Sequence, residues 1–245
     1  MSSEKLSIFE EGQVLLFDKP LYWTSFDLVN KVRNIIRYSL VLKKIKVGHA
    51  GTLDPLASGL MIVCTGRATK RIEDFLNLDK EYTATFTFGA TTPSFDLETE
   101  IDEHFPADHI TKELAKEKLE SFLGEQKQVP PVYSAKLIDG KRAYEYARKG
   151  INIELEPATV YFKELELISF DLPEIKIRMR CSKGTYIRSF ARDFGKSLNS
   201  GCHLSALVRN SIGEFKLCDA YSIEKFKEYV EQTQFLNNVK IPHIL

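Results

Sequence analysis

Gly48-His49-Ala50-Gly51-Thr52-Leu53-Asp54-Pro55-Leu56-Ala57-Ser58-Gly59 sets one acidic side chain, Asp54, among glycines, a proline and small residues. The apolar run Leu60-Met61-Ile62-Val63-Cys64 follows at once and reads as a buried strand. Glycine permits positive φ and lets a ligand come close to the backbone. Pro55 fixes its own φ and biases Asp54 away from the helical region. The segment reads as a carboxylate on a stiff loop anchored by a core strand, which is how a nucleophile or general base is presented. An aspartate before proline also commonly bonds a turn amide. The loop by itself leaves both readings open.

Composition narrows the classes. The chain has 245 residues, is 43% hydrophobic and carries a formal net charge of zero. It can bury a sizeable core, in one large domain or two small ones. Neutrality supplies no general attraction to nucleic acid, so an RNA site must come from local clustering. Cys64, Cys181, Cys202 and Cys218 are far apart and form no C-x-x-C pair. They read as free thiols in a reducing compartment. The histidines show no ligand spacing, and no metal is expected. No apolar run is long enough to span a membrane, and the start, Met1-Ser2-Ser3-Glu4-Lys5, is polar. A cytoplasmic protein with no membrane association is expected.

Outward from the loop, strands and helices mix without strict β-α alternation, which predicts an α+β fold. Gln13 to Asp18 reads as a strand. Thr24 then caps a helix, with Asp27 at the capping-box position and Leu28, Val29, Val32, Ile35 and Ile36 on one face. Tyr82, Ala84, Phe86 and Phe88 alternate with threonines as a half-buried strand. Leu114, Leu119, Phe122 and Leu123 mark a helix that Gly124 ends. From Glu125 to Ala135 the pattern stops, and an exposed loop is predicted, then a short basic-aromatic helix near Arg142 to Lys149. Tyr133, Lys136, Lys141, Arg142 and Arg148 suit RNA, since rings stack on bases and cations meet phosphates. A solvated charged helix with tyrosines packed on the core is the alternative. Glu174 to Cys181 alternates, with Lys176, Arg178 and Arg180 on a face read as solvated. A helix follows with Ile187, Phe190, Ala191, Phe194 and Leu198 inward and Arg188 and Arg192 sharing a face. Leu204, Ala206 and Val208 suggest another strand, and Ile223, Phe226 and Val230 a closing helix.

The Gly48–Gly59 segment resembles the catalytic motif of the TruB family, the tRNA pseudouridine-55 synthases. Other segments resemble the family in the same order. Val14-Leu15-Leu16-Phe17-Asp18-Lys19-Pro20 is similar to its first strand and Lys-Pro turn, and Lys80-Glu81-Tyr82 to its K-x-Y motif. Pro131-Val132-Tyr133-Ser134-Ala135-Lys136 and Gly140 to Arg148 are similar to its RNA-gripping insertion, and Cys181 to Arg188 to the segment that carries an active-site arginine. The resemblance implies a mixed, largely antiparallel central sheet flanked by helices and loops, in a single catalytic domain over residues 1–245. An RNA clamp would lie at about 125–150.

The resemblance also implies chemistry. Pseudouridine formation breaks the uridine N-glycosidic bond, turns the base and rejoins it through carbon, with no redox change and no cofactor. Asp54 would be the nucleophile. Arg188 would pair with it and keep it ionised, where a plain reading gives a surface arginine. Tyr82 would stack on the flipped uracil and accept a proton late, where a plain reading gives a core aromatic. Leu207 would line the uracil pocket or simply pack in the core. His49 would help displace the target base or cap the turn. Gly51 and Thr52 would contact substrate, and Lys19 and Tyr186 would support the pocket. Asp96 matches an aspartate that orders the cleft, but Pro93 stands where the family's R-T-D-T-x-D-x-x-G pattern has an earlier aspartate, and no glycine follows. Only a few residues follow the last predicted helix, so the C-terminal PUA-type barrel of many members is not expected. The T arm of tRNA is then the expected partner, with no obligate protein partner. Competing readings are a non-catalytic tRNA-binding or folding module, a guide-dependent synthase subunit and, more remotely, a phosphate-binding enzyme. The last lacks a G-x-x-x-x-G-K-[ST] pattern after Thr65.

Overall fold

The Ala57–Thr65 strand is buried along almost its whole length, as its unbroken apolar sequence requires. In the computed structural model, residues 7–134, 136–138, 140–147, 149–151 and 153–238 are described. They form two compact units, one of residues up to Leu78 together with Arg209 onward, the other Asp79–Val208. The strand Cys202–Ile212 carries the chain from the second unit back into the first.

In the first unit, Val14–Lys19 pairs antiparallel with Ala57–Thr65, in a register that sets Asp18 opposite Leu60 and Lys19 opposite Gly59. Val47–His49 pairs with the far end of the same strand. Leu60, Ile62 and Cys64 pack with Ala50, Ala68, Phe75 and Ile212 on one side. A ring cluster of Phe9, Phe17, Tyr221, Phe226 and Tyr229 forms a further part of the core. The helix Ser25–Ser39 starts at Thr24 with the anticipated capping box and buries Leu28, Val29, Val32, Ile35 and Ile36. The closing helix spans Ile223–Asn238. No described helix is long and apolar enough to cross a membrane.

In the second unit, Lys80–Phe88, Glu174–Cys181 and Ala158–Asp171 are antiparallel neighbours. Helix Ile187–Ser197 covers them with Phe190 and Phe194, which pack on Phe86, Phe88, Phe122 and Phe162. Two of the outward cations of Glu174–Cys181 are engaged with carboxylates: Arg178 with Glu81 and Glu166, Arg180 with Asp79 and Glu164. The face is exposed, and its arginines are ion-paired across the strands rather than simply solvated.

One sequence expectation is corrected. Glu125 does not open a loop: Gly124–Gln128 is a strand paired with Ala158–Phe162, and Pro130, Pro131 and Ser134 beyond it are buried. Four of its five residues are polar and no apolar alternation marks it, so its own side chains do not announce a strand. The strand suggested by Leu204, Ala206 and Val208 spans Cys202–Ile212, with Ala206 facing out and Leu207 and Arg209 buried.

Candidate active site

The Asp54 loop belongs to the first unit, and its backbone is held from several directions. Pro55 and Leu56 form the middle of a β-turn closed by the Ala57 amide donating to the Asp54 carbonyl at 3.0 Å. The turn is thus closed by main chain, with proline at its favoured second position. Just before Asp54, the buried Ser25 hydroxyl accepts from the Leu53 amide at 2.8 Å and donates to the Leu53 carbonyl at 3.0 Å. Just after it, the Tyr22 amide donates to the Pro55 carbonyl at 2.7 Å. The Arg209 side chain is 1% exposed. It donates from Nε to the Leu60 carbonyl at 2.7 Å and from Nη2 to the Gly51 carbonyl at 3.2 Å, with Nη1 3.5 Å from that of Thr52. Gly59, at φ +107°, faces this arginine so closely that a Cβ there would lie 2.5 Å from the Arg209 carbonyl oxygen. Glycine is therefore demanded both by backbone geometry and by space. Ala50 and Leu53 are buried, Thr52 is exposed, and Gly51 and Asp54 are half-buried.

Two titratable groups accompany Asp54 in this unit. Lys19 is fully buried and donates to the Trp23 and Pro20 carbonyls at 2.6 and 2.9 Å. Burial lowers its pKa to about 8, against the opposing pull of the Asp54 charge. His49 is pushed below the ordinary histidine range by burial and by the Arg209 cation, against a backbone hydrogen bond with Gly51. It is therefore neutral at pH 7.

The second unit contains the other predicted residues. Arg188 is 4% exposed, not on the surface as a plain helical reading gives. Its Nε lies 3.6 Å from an Asp96 carboxylate oxygen, and its Nη1 donates to the Ser94 carbonyl at 3.4 Å. Asp96 also accepts from the Glu98 amide at 3.0 Å. The Pro93 departure finds its physical place here. The Phe95 amide donates to the Thr92 carbonyl at 3.0 Å, so Pro93 occupies the second position of a β-turn. The Thr92 and Ser94 hydroxyls both donate to the Asp96 carbonyl, at 2.6 and 3.2 Å. Tyr82 and Leu207 are 8% and 7% exposed. Tyr186 precedes the Arg188 helix, and its amide and carbonyl are both bonded by the Gln128 side chain, at 2.8 and 3.1 Å.

The residue pattern of this loop, and of the segments beyond it, matches a family model described as TruB family pseudouridylate synthase (N-terminal domain) over residues 39–187. The chain belongs to the TruB family. Among its relatives are proteins named tRNA pseudouridine synthase B. That of Phocaeicola vulgatus is 59% identical over 226 residues, covering 92% of this chain and 96% of the relative. That of Parabacteroides distasonis is 58% identical, covering 95% and 97%. Solved structures share the TruB fold at low identity. An archaeal box H/ACA Nop10–Cbf5 complex matches with a TM-score of 0.66 at 23% identity, and a Cbf5–Nop10–Gar1 complex with 0.69 at 23%. The chain covers 58% and 60% of those chains, and each match takes in 92% of this one.

Of the TruB clamp residues predicted from sequence, Arg148 lies outside the described residues. Lys141 and Arg142 are exposed in the strand that leads into helix Ala143–Ala147. Lys136 donates to the Glu156 carbonyl at 3.2 Å, and Tyr133 is half-buried. Sequence reading missed Ser25 and Arg209. No motif marks either; their roles rest on hydrogen bonds to Leu53, 28 residues away, and to Gly51, 158 residues away. Ser25→Ala deprives both the amide and the carbonyl of Leu53 of this hydroxyl. It is expected to lower stability by about 1–3 kcal/mol and to reduce kcat with KM nearly unchanged. Denaturant unfolding and steady-state kinetics check this together.

Proposed function

We propose that this chain isomerises the T-loop uridine, position 55, of tRNA to pseudouridine through base flipping and Asp54-dependent cleavage and re-attachment of the base. That it is a tRNA pseudouridine synthase follows from membership of the TruB family and from 59% identity to a relative of that name. The observation that carries the residue assignment is the anchoring of Leu53 and Pro55 on either side of Asp54. A carboxylate carried on a backbone fixed this way needs less reorganisation when the reaction begins.

The reaction needs a nucleophile, a positive charge to keep it anionic, a stacking surface and a proton acceptor. Asp54 is assigned as the nucleophile. Lys19 supplies nearby positive charge, and Arg188, fixed by Asp96 and the Ser94 carbonyl, supplies a second cation. Tyr82 is assigned to stacking on the uracil and accepting a proton as the carbon–carbon bond is completed. Leu207 lines the base pocket, and His49, neutral, occupies space vacated by the flipped base. Extruding that base costs about a few kcal/mol, offset by stacking and pocket hydrogen bonds. Gly51 and Thr52 contact the nucleotide, Tyr186 supports the pocket, and Tyr133, Lys136, Lys141, Arg142 and Arg148 grip the T arm. The family reading supports action in the cytoplasm without a protein partner. Conversion of an unmodified transcript by the purified chain alone tests that.

Lys19 gives this proposal a pH signature. The ammonium is charged below its pKa of about 8 and neutral above it, so positive charge near Asp54 is lost as pH rises. The single-turnover rate is expected to fall above pH 8, and Lys19→Arg to keep whatever activity it has flat to higher pH. A pH–rate profile of both proteins checks this; an identical alkaline limb in the two would remove Lys19 from the account.

A further inference from the structure

Two large aromatic side chains stand in solvent beside the Asp54 loop. Tyr22 is 74% exposed and Phe26 64% exposed. Tyr22 also adopts φ +67°, a left-handed conformation that bulky residues rarely take and glycine takes freely. Nothing in the packing explains a tyrosine there. Among the described residues its ring has no aromatic or cation-π contact, and most of it lies in water. Strain of this kind persists where surrounding structure enforces it, and it concentrates at functional sites.

The backbone around both rings is tied to the residues flanking Asp54. The Tyr22 amide donates to the Pro55 carbonyl at 2.7 Å, and Ser25, the neighbour of Phe26, holds both backbone groups of Leu53. A displacement of either ring's backbone is thereby a displacement of the catalytic loop. Exposed rings on a fixed backbone, with Lys31 in the helix that carries Phe26, suit one kind of partner. Single-stranded nucleotides stack on aromatic faces while cations meet the phosphates.

Resting on the tRNA reading above, we propose that Tyr22 and Phe26 form an aromatic rim on which an unpaired base of the substrate loop, next to the flipped uridine, stacks. His49 fills the space the uridine leaves, and the rim offers a stacking face to a neighbouring base that the opened loop exposes. The strained backbone of Tyr22 is then retained for RNA binding at a cost to folding.

The test compares wild type, Tyr22→Gly, Tyr22→Phe and Tyr22→Gly/Phe26→Ala. It measures Tm, oligomeric state, affinity for an unmodified tRNA transcript and single-turnover rate. Tyr22→Gly is expected to have a Tm equal to or above wild type and to bind transcript about 5–100-fold more weakly. Tyr22→Phe should stay within about twofold of wild type, because stacking needs the ring and not the hydroxyl. The double variant should bind more weakly than Tyr22→Gly. A stability gain with lost RNA affinity is a pairing that a purely structural tyrosine cannot produce. If wild type forms pseudouridine while Tyr22→Gly binds and reacts as wild type does, the rim is overturned and the function stands. If the variants change only self-association, the rim is a contact between copies of this chain and the proposal is overturned. A wild-type chain that neither binds nor modifies tRNA overturns both readings.

Discussion

Asp54→Asn is expected to lower the rate of pseudouridine formation by at least about 10⁴-fold, the scale of loss when a nucleophile is removed. Its tRNA affinity should stay within a few-fold of wild type. The carboxamide is nearly isosteric, and the loop's main chain is held by the Ser25 hydroxyl, the Tyr22 amide and the Arg209 guanidinium. The fold should therefore persist, with near-wild-type Tm. A non-catalytic RNA-binding module would show no such separation, because it would have no activity to lose. Rates on a defined transcript, set beside filter-binding affinities, make the comparison.

The second large effect concerns Asp96. Its carboxylate and the Arg188 side chain are each 5% exposed and lie 3.6 Å apart. Removing one member of a buried pair leaves the other charge desolvated, a loss of about 3–5 kcal/mol. Asp96→Ala is expected to lower Tm by about 6–20 °C. Asp96→Asn keeps the side chain's size and one oxygen, enough to accept from the Glu98 amide but not also to face the guanidinium, and should lose less than Asp96→Ala. In both variants kcat should fall further than 1/KM, because a displaced Arg188 affects the reacting charge more than RNA contact. Differential scanning calorimetry and transcript kinetics decide it; a Tm for Asp96→Ala within a degree or two of wild type would refute the pair's importance.

The features legible in the sequence were those that local chemistry dictates. The Asp54 loop could be read because glycine, proline and a following apolar run restrict the backbone within a dozen residues. The Thr24 cap and the buried stripe of Ser25–Ser39 are equally local. Long-range partners were not legible. Arg188 occupies a helical position that ordinarily faces water, and partners such as Asp96 and Ser94, more than 90 residues earlier, make its burial tolerable. Ser25 reads as a first-turn helix residue until Leu53 is brought against it. Gly124–Gln128 lacks apolar alternation, so its pairing with Ala158–Phe162 decides its structure where its own side chains do not. Pro93 breaks the family pattern, and its place as a turn former in a hydroxyl-bonded loop needed Thr92, Phe95 and Asp96 in three dimensions to be seen.

The most direct test of the account is a single-turnover reaction of the purified chain, without other proteins, on an unmodified tRNA transcript, with pseudouridine mapped nucleotide by nucleotide. The account predicts product at the T-loop uridine alone, formed by wild type and absent with Asp54→Asn. Product elsewhere, product undiminished in the variant, or no product from folded wild type that binds the transcript would contradict it.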